Sequence, residues 1–169
     1  MINNRKMNEV KRIAFVASDV NRKSLIEWSY YNQDILKEHE LIATGPMAHI
    51  LEGTIGKTVT KLHDGITAAN HQLATLIGGQ QIDILIFFWD PLQPLPYDNG
   101  IRALHDLAIT NNIIIAGNLA TADFILSSLL MNKEHSVPVQ PEFTYAGKSR
   151  TFLANSDSRK AVLKLNAIN

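Results

Sequence analysis

The sequence predicts a single doubly wound α/β domain, a five-stranded parallel sheet with helices on both faces, and three observations carry that reading. The first is the run Ile82–Leu92, IDILIFFWDPL, in which Ile82 to Phe88 is apolar with one polar interruption. Such a run fits a strand buried on both faces, and Pro91, with no N–H to donate, stops its ladder near Asp90. The second is the alternation of short apolar runs with stretches of helical spacing about ten to fifteen residues long, the pattern of right-handed βαβ crossovers. The third is punctuation by glycine, proline and asparagine at the junctions.

Met1–Lys11 is polar, with Asn3, Asn4, Arg5 and Lys6, and is expected to be a flexible arm. Arg12–Ala17, RIAFVA, is the first strand. Ser18 and Asp19 end it, and Asn21 stands where it can cap a helix carrying Leu25, Trp28, Ile35 and Leu36 at helical spacing. Leu41–Thr44 is a short second strand running into Gly45-Pro46. A short helix is expected from Ile50 and Leu51, broken at Gly53, and Lys57–Leu62, KTVTKL, reads as a third strand.

After the loop His63-Asp64-Gly65, a helix carries Ala69, Leu73, Leu76 and Ile77 on one side and stops at Gly78-Gly79. The run from Ile82 is the fourth strand. Past the loop Gln93–Asn99, Asp98 can cap a helix with Ile101, Leu104, Leu107 and Ala108 inward. Asn112 ends that helix and Ile113–Ala116 is the fifth strand. Asn118 then opens a last core helix through Phe124, Ile125, Leu129 and Leu130. The α/β domain is thus expected over residues 12–131. Residues 132–169 form a polar extension, with edge strands at Phe143–Tyr145 and Thr151–Leu153 and a last segment, Ser156–Asn169, that frays or docks on a neighbouring subunit.

Composition narrows the partners. Hydrophobic residues make up 46% of the 169, and 16 Lys and Arg balance 16 Asp and Glu, so no long-range field draws nucleic acid or an anionic membrane. Small molecules and copies of the chain itself are the expected partners. There is no cysteine, which excludes disulfides and thiolate chemistry. No apolar run reaches membrane-span length and the amino terminus lacks a secretory signal, so the expected compartment is the cytoplasm.

In this topology the chemistry comes from loops at the carboxyl ends of the strands: 18–22, 44–47, 64–70, 90–98 and 118–123. Asp90 is there either as a cap for its own loop or as part of a site. Thr44-Gly45 ahead of a helical start is a candidate anion cradle. Arg22, in the first turn of a helix, is a surface cation or an oxyanion clamp.

The order VASD, ATG, a loop at Gly65, IDILIFFWDPL and NLATADFI resembles methylglyoxal synthase over about residues 12 to 130. The resemblance implies a flavodoxin-like sheet, a cytoplasmic homohexamer and no cofactor. It also implies a reaction in which dihydroxyacetone phosphate loses a proton to give an enediolate, which eliminates phosphate to yield methylglyoxal. Asp19, Thr44, Gly45, Gly65 and Asp90 are kept from the family's pattern, with Asp90 an accessory acidic group, and Arg22 stands for its lysine.

Other positions depart from that pattern. The family's catalytic aspartate lies in a Ser-Gly-Pro-x-Gly-Gly-Asp-x-Gln stretch that reads here Asp64-Gly65-Ile66-Thr67-Ala68-Ala69-Asn70-His71-Gln72, so Asn70 occupies the position of the base. An amide hydrogen-bonds but takes no proton near neutral pH, and losing a positioned base costs on the order of 10²–10⁴ in rate. The family's two ligand-contacting histidines fall on Ser18 and Tyr97, and a further aspartate falls on Gly100. Thr-Gly-Thr-Thr has become Thr44-Gly45-Pro46-Met47, which removes one backbone donor and two hydroxyls. Asp64 replaces a serine, and a phosphate about 4 Å from its carboxylate would meet repulsion of several kcal/mol at an effective dielectric near 20.

These changes favour a binding or regulatory relative with little ordinary turnover, as similar domains act as allosteric modules in carbamoyl phosphate synthetase. One alternative is an active lyase that recruits His71 or Asp90 as base; another is an enzyme acting on a less phosphorylated or uncharged polyol, prompted by Asp64 in place of a phosphate contact. His49, His63 and His71 match no tight metal-ligand spacing, so no metal is expected. Arg150 is the candidate for the carboxyl-terminal arginine that reaches a neighbouring pocket in the family.

Overall fold

The structure is a computed structural model and describes residues 3–92, 98–139, 144–145 and 148–149. Five parallel strands, β2 (Arg12–Ala17), β3 (Glu40–Thr44), β4 (Thr60–Leu62), β5 (Ile84–Phe88) and β6 (Ile114–Ala116), lie in the order β4-β3-β2-β5-β6. The domain is doubly wound and flavodoxin-like in its five parallel strands and three layers. Winding runs outward in one direction from β2 to β4, then returns to place β5 on the other side of β2. The switch point therefore lies between β2 and β5.

Alternation along the strands decides which helices cover which face. Ile13, Phe15, Ile84, Ile86 and Phe88 face one layer, built from α1 (Arg22–Tyr31), α3 (Gly45–Ile55) and α6 (Leu119–Leu126) through Leu25, Trp28, Leu51, Ile55, Ala122 and Leu126. Ala14, Val16, Leu85 and Phe87 face α4 (Ile66–Gly78) and α5 (Asp98–Thr110) through Leu73, Ile77, Ile101 and Leu104. A four-residue helix α2 (Gln33–Leu36) follows α1 and buries Leu36. Every residue of β5 is buried, as its unbroken apolar run requires.

The amino terminus corrects the expectation of a flexible arm. β1 (Asn3–Met7) pairs antiparallel with β7 (His135–Val139), in register from Asn3 opposite Val139 to Met7 opposite His135. Arg5 and Met7 point inward and are buried, while Asn4 and Lys6 are exposed. The cause is Asp83, the polar interruption in the apolar run, which is fully buried. Its carboxylate accepts from Arg5 Nη1 at 2.7 Å and from Arg12 Nη2 at 2.9 Å, and Arg5 also donates to the carbonyls of Ile82 and Asn112. An arginine read as solvated is the anion's partner, because a buried carboxylate requires one. The start of the 132–169 extension, in β7, is accordingly part of the same ribbon.

Other element boundaries also differ, and the helix expected to carry Leu25 through Leu36 is interrupted at Asn32, with Ile35 left at the surface. The helix expected from Ile50 begins at Gly45 and passes through Gly53 to Gly56, whose φ of 74° closes it in the left-handed conformation. A mid-helix glycine costs about 1 kcal/mol, less than the burial of Leu51 and Ile55 returns at about 1.5–3 kcal/mol each. The third strand shortens to Thr60–Leu62, because Lys57 is drawn to the carbonyls of Lys37 and His39 and the Val59 N–H to Glu52. In the last helix Ala122 and Leu126 are the buried positions. Phe124, Leu129 and Leu130, expected in the core, are exposed, the latter two beyond the helix end at Leu126. A short hairpin of β8 (Thr144–Tyr145) and β9 (Lys148–Ser149) overlaps one expected edge strand; Phe143, Thr151–Leu153, Arg150 and Ser156–Asn169 lie outside the described residues.

Candidate functional site

Parallel strands bring Ser18, Gly45, His63, Trp89 and Gly117, each following the last residue of its strand, to one edge of the sheet. At the switch point the Ser18 N–H donates to the Phe88 carbonyl at 3.0 Å, zipping β2 to β5 to their ends. Ser18 is buried, and its hydroxyl accepts from the Asn21 amide at 3.1 Å. That bond uses the Asn21 side chain, which makes no cap bond to α1. Asp19 opens a turn of 3-10 helix, Asp19–Asn21, and accepts from Arg22 Nη2 at 2.5 Å. Arg22, read as a possible oxyanion clamp, is therefore held by its own turn, with about half its side chain exposed.

Across β2, Thr44 is the extended residue that starts α3, and Pro46 in the first turn lacks the N–H that would be an orphan donor there. Met47 is buried against the α1 and α3 layer and offers nothing to the edge. The decisive contact at Gly45 is with Asp64. A Cβ at position 45 would stand 2.1 Å from Asp64 Oδ1, so only glycine admits the carboxylate this close. Beside it an open cavity of about 490 Å³ is lined by Gly45, Pro46, His49, Lys61, His63 and Asp64, with Leu62.

Lys61 and Glu52 are the groups here that sequence reasoning missed. Lys61 Nζ lies 3.4 Å from His49 Nδ1 and 3.4 Å from Glu52 Oε2. The Val59 N–H, and then Lys61, hold the Glu52 carboxyl below its ordinary range. The available signal was the exposed position of Lys61 just before the inward Leu62.

α4 begins after Gly65, whose φ of 89° requires glycine. Asn70 is half-buried on its flank, and a Cβ at position 100 would lie 3.6 Å from Asn70 Nδ2, so the carboxamide looks onto the first turn of α5 at the residue that has no side chain. His71 does not join it. At about 100° per residue, His71 lies roughly 160° around the helix from each of the buried Ala69 and Leu73 and is exposed. Gln72 turns back to accept from the His63 N–H at 2.8 Å, tying the Asp64 loop to α4.

Asp90, half-buried beyond β5, accepts from the Leu92 N–H at 2.9 Å, the self-bonding turn that makes it a loop cap. Tyr97 lies outside the described residues. Among the described residues no group of three or more His, Asp or Glu is placed to hold a metal, and no helix is long and apolar enough to cross a membrane. The edge thus offers hydrogen-bonding groups at two centres, one at Gly45 and Asp64, the other at Asn70 beside α5.

The chain matches no protein-family model. It is 44% identical over 134 residues to methylglyoxal synthase of Coxiella burnetii (strain Dugway 5J108-111), covering 79% of this chain and 93% of the relative. To methylglyoxal synthase of Photorhabdus laumondii it is 40% identical over 141 residues, 83% of this chain and 92% of the relative. The crystal structure of methylglyoxal synthase from Elizabethkingia anophelis NUHP1 superposes with a TM-score of 0.77 at 34% identity, over 89% of this chain and 99% of that one. Identity at this level across nearly the whole length of these relatives, with the same sheet, shows that the chain belongs to the methylglyoxal synthase family.

Proposed function

We propose that this family member retains a small-molecule site at the carboxyl edge of its sheet but lacks ordinary synthase turnover, and acts as a ligand-binding or regulatory protein. The observation that carries this reading is the placement of Asn70. Its carboxamide faces Gly100, so the position that the resemblance assigns to the proton acceptor holds an amide, and the adjacent position contributes no side chain. An amide can hold an enediol by hydrogen bonds without taking its proton. Neither substitute base is well set: Asp90 is engaged with the Leu92 N–H, and His71 is turned from the flank that Asn70 occupies. The reading needs no cofactor.

The competing reading is an active lyase, favoured by relatives named methylglyoxal synthase at 40–44% identity and by retention of Asp19 and Asp90. Purified chain with dihydroxyacetone phosphate separates the two, with methylglyoxal and inorganic phosphate followed together. The expected result is no stoichiometric release of the two products, with turnover raised at least about 10²-fold by Asn70→Asp combined with Asp64→Ser. Robust release by the unsubstituted protein, lost on Asp90→Asn or His71→Ala, establishes the lyase instead.

The assembly belongs to the same proposal: a cytoplasmic homohexamer, as the resemblance implies, in which apolar side chains such as Phe124 and Leu129 are covered by neighbouring copies.

A further inference from the structure

We propose that Asp64 sets the ligand preference of this edge, turning it from phosphate esters towards uncharged polyols that donate hydrogen bonds; the inference deepens the binding function proposed above and rests on it. A helix start with free N–H groups ordinarily draws an anion. Here the chain has placed its own anion against that start. Gly45 Cα is bare on the side where Asp64 Oδ1 sits, 2.1 Å from where a Cβ would be, and Pro46 presents no N–H.

The carboxylate, exposed to solvent, also has no cationic side chain paired with it among the described residues. Among the described residues it makes no hydrogen bond and no ion pair, and Lys61, the only lysine or arginine among the described residues lining the cavity, lies against Glu52 and His49. A second anion entering beside Gly45 therefore meets an unpaired negative charge. A neutral hydroxyl meets two acceptor oxygens. The cavity of about 490 Å³ admits a ligand of three or so carbons together with its water, and its histidines add groups that bond hydroxyls in either tautomer.

Calorimetric titration of the full chain with dihydroxyacetone, dihydroxyacetone phosphate and inorganic phosphate tests the preference, in the unsubstituted protein, Asp64→Ser and Gly45→Ala. The unsubstituted protein is expected to bind dihydroxyacetone and to bind either phosphate species at least about tenfold more weakly. Asp64→Ser should reverse that order. Gly45→Ala, which keeps the charge but pushes the carboxylate aside, should weaken dihydroxyacetone by several-fold. Tight phosphate binding by the unsubstituted protein that Asp64→Ser leaves unchanged overturns the inference, and so does absence of dihydroxyacetone binding. Turnover is read separately: catalysis by the unsubstituted protein removes the binding function while leaving the ligand order to judge Asp64, and a failed order without turnover removes this inference alone.

Discussion

Asp83 shows how one side chain can commit residues far along the chain. It is fully buried, and Arg5 and Arg12 both donate to it, so its loss leaves the buried Arg5 guanidinium with no counter-charge and Arg12 with only Glu40 nearby. Burial draws the Arg5 guanidinium below its ordinary range, while the hydrogen bond to Asp83 raises that of Arg12. Asp83→Asn is expected to cost about 3–5 kcal/mol, the usual consequence of removing one partner of a buried pair, read from urea unfolding. A loss under about 1 kcal/mol would mean that water reaches Arg5 freely. His39 gives a second prediction at this scale. Its ring is buried, Nδ1 accepts from the Lys11 N–H at 3.2 Å, Nε2 has no partner, and burial, then Lys11, lower its pKa despite Glu38. The neutral form is thus the folded form. Its contribution is complete above the ordinary histidine value of about 6.5 and is lost as pH falls through the depressed folded value. Between pH 7 and pH 5 the urea midpoint should fall less in His39→Gln than in the unsubstituted protein.

At the scale of elements, α3 was misread for a reason that can be measured. Gly53 looks like a breaker, but burial of Leu51 and Ile55 outweighs its propensity; the true stop is Gly56, in the left-handed conformation. A Cβ at position 56 would meet only Lys37 Cε at 3.8 Å, ordinary contact, so Gly56→Ala isolates backbone strain and should cost about 1 kcal/mol in thermal unfolding. Gly53→Ala, facing open space inside the helix, should stabilise by about 0.5–1 kcal/mol. The remaining parallel strands were legible as short apolar runs, and the helices α4 and α5 because their 3.6-residue patterns end at glycine or asparagine, as at Gly78 and at Asn112 with its φ of 51°. β1 was not legible: its inward residues are an arginine and a methionine, and alternation over five residues says nothing when the buried partner of the arginine lies 78 residues away.

For the whole molecule, the sheet order places the switch point at Ser18 and Phe88 and gathers the loops that the sequence nominated onto one edge. Exposed Phe124 and Leu129 are what remains after the core has closed, and light scattering should report an oligomer that Phe124→Glu shifts towards smaller species. A monomer in the unsubstituted protein would contradict that assembly. The sequence by itself determined the layered parallel fold, the family resemblance and the carboxamide at position 70, because these are set by local periodicity and residue identity. Only the tertiary structure decided that Arg5 belongs to the interior, that Asn70 looks at Gly100 while His71 does not, and that Asp64 stands against Gly45. Those facts depend on which distant segments meet, and contacts between residues tens of positions apart are fixed by packing and charge compensation that no local pattern encodes.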